Sequence, residues 1–111
     1  NTTLPSVNIK EEDEHYQIEV AAPGLDKEDF KIEFENDILR IFSEKKEESE
    51  NNSGKYSRKE FSYQSFCRSF TLPQTADGEK ITASYDKGIL MVTIPKKEEA
   101  KPKAKRLIDI M

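Results

Sequence analysis

His15 and Cys67 are the single histidine and the single thiol in a chain of 111 residues. A nucleophile with its base is the first chemistry that such a pair brings to mind. The surroundings argue against it. Cys67 sits beside Phe66 in a run of strand character, where a cysteine serves as a small buried hydrophobe more often than as a thiolate. His15 follows Glu11, Glu12, Asp13 and Glu14, a solvated acidic turn without the spacing of a metal-ligand set. The four glycines, Gly24, Gly54, Gly78 and Gly88, each stand alone in a turn, so there is no loop to cradle a phosphate and no basis for ATP use. The carboxylates between Glu44 and Glu50 lie in a polar loop that cannot hold the fixed separation acid-base work requires. The sequence therefore predicts neither an enzyme nor a cofactor or metal.

What remains is binding. The chain closes on Ile108-Asp109-Ile110, and in an extended segment these two isoleucines point the same way while Asp109 faces water. They follow residues 96–106, a run too charged and too interrupted by Pro102 to fold by itself. A solvated tether with two apolar pegs is a plug for a groove elsewhere. The alternative is a C-terminal edge strand of the chain's own domain, since a terminus is ordered only where it is tied down.

Composition limits the partners. Leu, Ile, Val and Phe make up 25 of the 111 residues, enough for one small core. With 36% charged residues and a net charge of -4, the chain has no field to draw nucleic acid or an anionic membrane, and both are set aside. No apolar run approaches the ~18 residues of a membrane span, and no signal-peptide pattern opens the chain. One cysteine makes no internal disulfide, which fits a reducing cytoplasm. The chain opens on Asn1 rather than Met, and residues 1–6 are read as the remnant of an N-terminal arm.

The apolar period of the rest is two. Tyr16, Ile18 and Val20 alternate with Gln17 and Glu19; Phe30, Ile32 and Phe34 alternate with Lys31, Glu33 and Glu35. Asn36-Asp37 is a tight hairpin turn leading to residues 38–42. Ala22-Pro23-Gly24 stops the earlier strand, and residues 26–29 hold at most one helical turn. Residues 44–55 form a polar loop without a large apolar side chain, and residues 56–60 a short strand. Phe66, Arg68 and Phe70 alternate up to Leu72-Pro73. After a polar turn, Ile81, Ala83 and Tyr85 make the next face, Asp86-Lys87-Gly88 a three-residue turn, and Leu90, Val92 and Ile94 the last face before Pro95. Six to eight short strands imply an antiparallel β-sandwich over residues 7–95, with residues 96–111 as a flexible extension. Arg68 leaves two readings: it follows its aromatic neighbours inward, where a guanidinium needs a carboxylate partner, or it is exposed on a twisted strand.

Four motifs now stand in order: Ala22-Pro23-Gly24-Leu25; Phe66-Cys67-Arg68-Ser69-Phe70-Thr71-Leu72-Pro73; Ala83-Ser84-Tyr85-Asp86-Lys87-Gly88-Ile89-Leu90 with Val92-Thr93-Ile94-Pro95; and Ile108-Asp109-Ile110. Together they resemble the α-crystallin domain of the small heat shock proteins, of the bacterial and plant type with a long strand-exchange loop. Lys87 stands where that family usually has Asn. The signature hairpin, Ala83, Gly88 and Leu90, is explained by packing alone: a small residue where sheets approach, a glycine for the turn, and a leucine returning to the core.

The resemblance implies an all-β, immunoglobulin-like sandwich acting in the stress response as an ATP-independent chaperone. Its partners would be partly unfolded client proteins and further copies of itself, first as a dimer and then as a higher homo-oligomer. It implies that Phe30, Ile32 and Phe34 on one edge, with Ile81, Ala83 and Tyr85 on another, form the groove for Ile108 and Ile110. It also implies that the strand at residues 56–60, carried by the loop at residues 44–61, pairs with residues 7–10 of a second subunit. Val7, Ile9, Tyr56, Arg58 and Arg68 would then lie at the dimer interface. The competing class is a non-enzymatic sandwich module, such as a CS-domain co-chaperone or a carbohydrate-binding domain; the latter usually presents exposed Trp or Tyr, and this chain has no Trp.

Overall fold

Alternation decides the architecture, because each strand has one apolar face to bury. The computed structural model describes residues 4–44 and 65–111; residues 45–64, with Tyr56, Arg58 and most of the expected exchange loop, lie outside them. Among the described residues, seven strands follow in order: β1 (Ser6–Glu11), β2 (His15–Ala21), β3 (Phe30–Glu35), β4 (Ile38–Glu44), β5 (Ser65–Thr71), β6 (Thr82–Asp86) and β7 (Ile89–Pro95). They form two antiparallel sheets, β1-β2-β7-β6 and β3-β4-β5. The fold is an all-β sandwich; its only helical pieces among the described residues are single 3-10 turns, at Lys27–Asp29, Gly78–Lys80 and Glu98–Ala100.

The core lies between the sheets. Ile18 pairs with Val92 and Val20 with Leu90, while Leu39 pairs with Phe70 and Ser43 with Phe66. Ile18, Val20, Leu39, Ile41, Val92 and Ile94 are almost wholly withdrawn from solvent. Burial of each contributes about 1.5–3 kcal/mol, and the period of two hands these side chains to one face without exception.

The turns explain the pairing register. Asn36 (φ 53°) and Asp37 (φ 63°) both adopt the left-handed conformation, which is the two-residue turn whose twist matches a β-hairpin. The β6–β7 turn differs from the sequence expectation of three residues. Asp86 pairs with Ile89, so the turn is Lys87-Gly88 alone, with φ of 51° and 81°. The ladder continues one residue further than composition implied because Asp86 is extended enough to keep its partner.

Cys67 also departs from expectation. It is exposed, because Phe66, Arg68 and Phe70 take the inward positions and a period of two sends Cys67 outward. There it pairs across the sheet with Phe42 and accepts a 3.7 Å hydrogen bond from Arg40 Nη2.

Candidate functional site

In a sandwich the chemistry of binding is at the seams, where an edge strand of one sheet passes an edge strand of the other with backbone groups unpaired. Here β3 is an edge of the three-stranded sheet and β6 an edge of the four-stranded one. Phe30, at the start of β3, brings its ring within 4.7 Å of Tyr85, near the end of β6, and within 6.1 Å of Phe66. The Tyr85 hydroxyl donates to the Ala22 carbonyl at 2.7 Å, fixing the ring. At the other end of β3, the Phe34 ring lies against Gly78, just ahead of β6. The two edges thus run side by side in opposite directions. Between those contacts Ile32 and Ile81 are half-buried and Ala83 is exposed. Of the six residues singled out on these two edges, Phe30 and Tyr85 meet across the seam and Phe34 reaches Gly78; Ile81 precedes β6 rather than belonging to it.

The second seam lies between β1 and β5, each also an outer strand. Val7 is half-buried, whereas Ile9, paired with Ile18, is 61% exposed. Beneath it is a cavity of about 550 Å³ lined chiefly by Ile9, Tyr16, Ile18, Phe70, Leu72 and Ile94. Sequence reasoning missed this cavity. The available signal was Phe70, an inward aromatic on a strand with no obvious neighbour on its far side. Arg68 resolves toward its inward reading: it is half-buried opposite Ile41, and its guanidinium lies 5.8 Å from the centre of the Phe70 ring. Among the described residues this contact is cation–π in kind.

The terminal pegs stand in solvent. Ile108 is 78% exposed and Ile110 99%, and residues 102–111 form no strand. They are not an edge strand of the chain's own sandwich. The foot of the extension, in contrast, is fastened. The Lys96 amide donates to the Glu14 carbonyl, and the Lys97 amide to that of Thr75, both at 2.8 Å. Lys96 Nζ is 2.8 Å from Glu11 Oε2 and lies over the Tyr16 ring. Lys101 Nζ meets Glu98 at 2.8 Å and Glu14 at 3.9 Å. The hydrogen bond to Glu11 raises the Lys96 pKa, that to Glu98 raises the Lys101 pKa, and Lys101 in turn lowers the Glu98 pKa. The free tether therefore begins near Pro102, not at Lys96.

No three His, Cys, Asp or Glu side chains gather for a metal among the described residues, and no helix among them is long and apolar enough to cross a membrane. What the seams offer, among the described residues, is apolar surface beside edge strands, the setting in which strands and peptides are recognised.

Comparison with known proteins gives the same picture. The chain is 41% identical over 98 residues to small heat shock protein C2 of Rickettsia felis. It is 39% identical over 102 residues to a 17.8 kDa class I heat shock protein of Solanum lycopersicum. These alignments cover 88% and 91% of this chain but 64% and 66% of the relatives, so the chain spans about two thirds of their length. Among solved structures, a small heat-shock protein from Xylella fastidiosa superimposes with a TM-score of 0.76 at 36% identity, covering 98% of this chain and all of that one. The hspA protein of Xanthomonas axonopodis gives 0.74 at 38% identity, covering 87% of this chain and 97% of that one. Residues 8–111 match the Hsp20/alpha crystallin family, and with two free-edged sheets, a Gly88 hairpin and a double-isoleucine terminus in place, this chain belongs to it.

Proposed function

We propose that the chain is the working domain of an ATP-independent chaperone that binds partly unfolded proteins and holds them from aggregating. The observation that carries this reading is the pairing of a free-edged apolar seam between β3 and β6 with a terminal Ile108/Ile110 segment that its own domain leaves in water. An apolar edge is a liability that proteins shield. Here the shield is the extension of another copy, seated on Phe30, Ile32, Phe34, Ile81, Ala83 and Tyr85; when it leaves, the same surface is open to an unfolding client. The high surface charge keeps a loaded complex dispersed.

The second seam supports a dimer. The β1 edge carries Val7 and Ile9 beside the cavity over Phe70, with Arg68 next to it, and an added strand from a second copy would cover them. Residues 56–60, with Tyr56 and Arg58, are that strand in this reading. Higher homo-oligomers then arise from extensions linking dimers, in line with the Xylella fastidiosa relative, which is described as having a distinct high order structure. The reading includes no catalysis and no cofactor, nucleic acid or membrane, and it places the protein in the cytoplasm.

Heat-induced light scattering from a model client tests the function. Protection at equimolar chain, unchanged by ATP or a chelator, is the expected result. No protection even at excess, together with a monomeric mass in solution, would replace the reading with that of a CS-type interaction module.

A further inference from the structure

Gly78 is not in the left-handed region; among the described residues the glycines at positive φ are Gly24 and Gly88. Its lack of a side chain serves space instead: a Cβ built there would fall within the envelope of the Phe34 ring. Phe34, 36% exposed at the end of an edge strand, is thus seated in a notch that only glycine leaves open. Its register opposite Leu39 places it on the same inward face as Phe30 and Ile32. Phe30 in turn abuts Tyr85.

We propose that the Phe34 ring in the Gly78 notch is a stop that limits the β3–β6 seam to two pegs and sets the register in which the extension of another copy docks. This rests on the seam being the dock of that extension. The lengths carry the argument. Phe30 and Phe34 are four residues apart on one strand, roughly 13 Å, while Ile108 and Ile110 are roughly 6.6 Å apart. From β3 only Ile32 shares the inward face between the two rings; on the side of β6, Ile81 is half-buried and the small Ala83 exposed. Two isoleucines spaced one strand period apart fit on either side of Ile32. A third, another period along, meets a ring: Phe30 braced by Tyr85 at one end, Phe34 in its notch at the other. The Phe30 end is tied into the core through Phe66; the Phe34 end rests on one glycine and is the adjustable one.

The test uses the full chain carrying Ile108→Ser and Ile110→Ser, so that its own extension does not compete. Labelled peptides of residues 105–111 are titrated by fluorescence anisotropy. One keeps two isoleucines; two others carry a third, either by Arg106→Ile or by lengthening so that an isoleucine stands two residues past Ile110. On this background all three should bind within about twofold of one another. With Phe34→Ala added, one three-peg peptide should gain about tenfold, the order expected for one further buried aliphatic side chain. Gly78→Ala, which fills the notch and displaces the ring while asking nothing unusual of the backbone, should give the same gain; it guards against a Phe34→Ala chain that folds poorly by circular dichroism. If three pegs already bind tenfold better beside an intact Phe34, or if neither variant produces the gain, the stop is refuted while the dock stands. If the two-peg peptide does not bind at all, the dock falls and the stop with it.

Discussion

Removing both terminal isoleucines separates assembly from folding. Ile108 is 78% exposed and Ile110 99% in the isolated chain, so Ile108→Ser with Ile110→Ser removes almost no contact within the sandwich. Its unfolding free energy should shift by no more than about 0.5 kcal/mol, as for other surface changes. Docked in a neighbour's seam, each side chain contributes about 1.5–3 kcal/mol, hence about 3–6 for the pair before the ordering of the tether is subtracted. Such a contact alone has a Kd from millimolar to tens of micromolar. On the proposed dimer, tethering would supply an effective concentration of about the same millimolar range, so several weak contacts would hold an assembly that still exchanges subunits. The double substitution weakens each contact by roughly 10²- to 10⁴-fold, enough to dissolve the higher assembly. Multi-angle light scattering should show dimers, and circular dichroism and the urea midpoint should be unchanged; Asp109→Asn should leave the mass as it was. An undiminished mass would show that the pegs are not the link. A lost β-signal would place them in the domain's own core, against their exposure.

Further outcomes follow from individual positions. Lys87 occupies the left-handed region at φ 51°, where asparagine is better tolerated than a long side chain; Lys87→Asn should raise stability by about 0.5–1 kcal/mol in a urea melt, and a loss would contradict the turn assignment. Ile41→Ala, at a position fully withdrawn from solvent, should cost about 2–5 kcal/mol, read as a lower midpoint with unchanged slope. Lys101→Glu places like charges against Glu98 and Glu14 and should speed amide exchange at Ala100 and Lys101, whose N–H groups bond back to Lys97 and Glu98. The lowered Glu98 pKa gives a contribution present above the ordinary carboxylate value and lost as pH falls through the lowered, folded one; the raised Lys101 pKa gives one present below the ordinary lysine value and lost as pH rises through the folded one. The foot of the extension should therefore hold across neutral pH and loosen in acid, in strong alkali or in high salt, which amide exchange at the same two positions would detect.

Strands and their inward faces were legible because the signal is local: Tyr16-Ile18-Val20 and Leu90-Val92-Ile94 alternate whatever they pack against, and Asn36-Asp37 tolerates positive φ whatever it connects. Cys67 obeys the same rule against its aromatic company: Phe66, Arg68 and Phe70 claim the inner face, and the period of two sends the thiol outward. The terminal pegs were legible as a pair, but not whether they pack on their own sandwich.

Which strands become edges was decided only by the fold. β2 and β7 carry the same kind of alternation as β3 and β6, yet the former are central and the latter are edges, because position in a sheet follows from pairing over long separations that no window of sequence contains. In sequence Gly78 is one more turn glycine; the fold sets the Phe34 ring, 44 residues earlier, against it. The charged run after Pro95 read as a solvated tether, and by composition it is one; the fold instead brings Glu11 to Lys96, 85 residues away, and so fixes the point from which the tether leaves. Local chemistry determined what each segment prefers to be, and the meeting of distant segments determined which surfaces were left open.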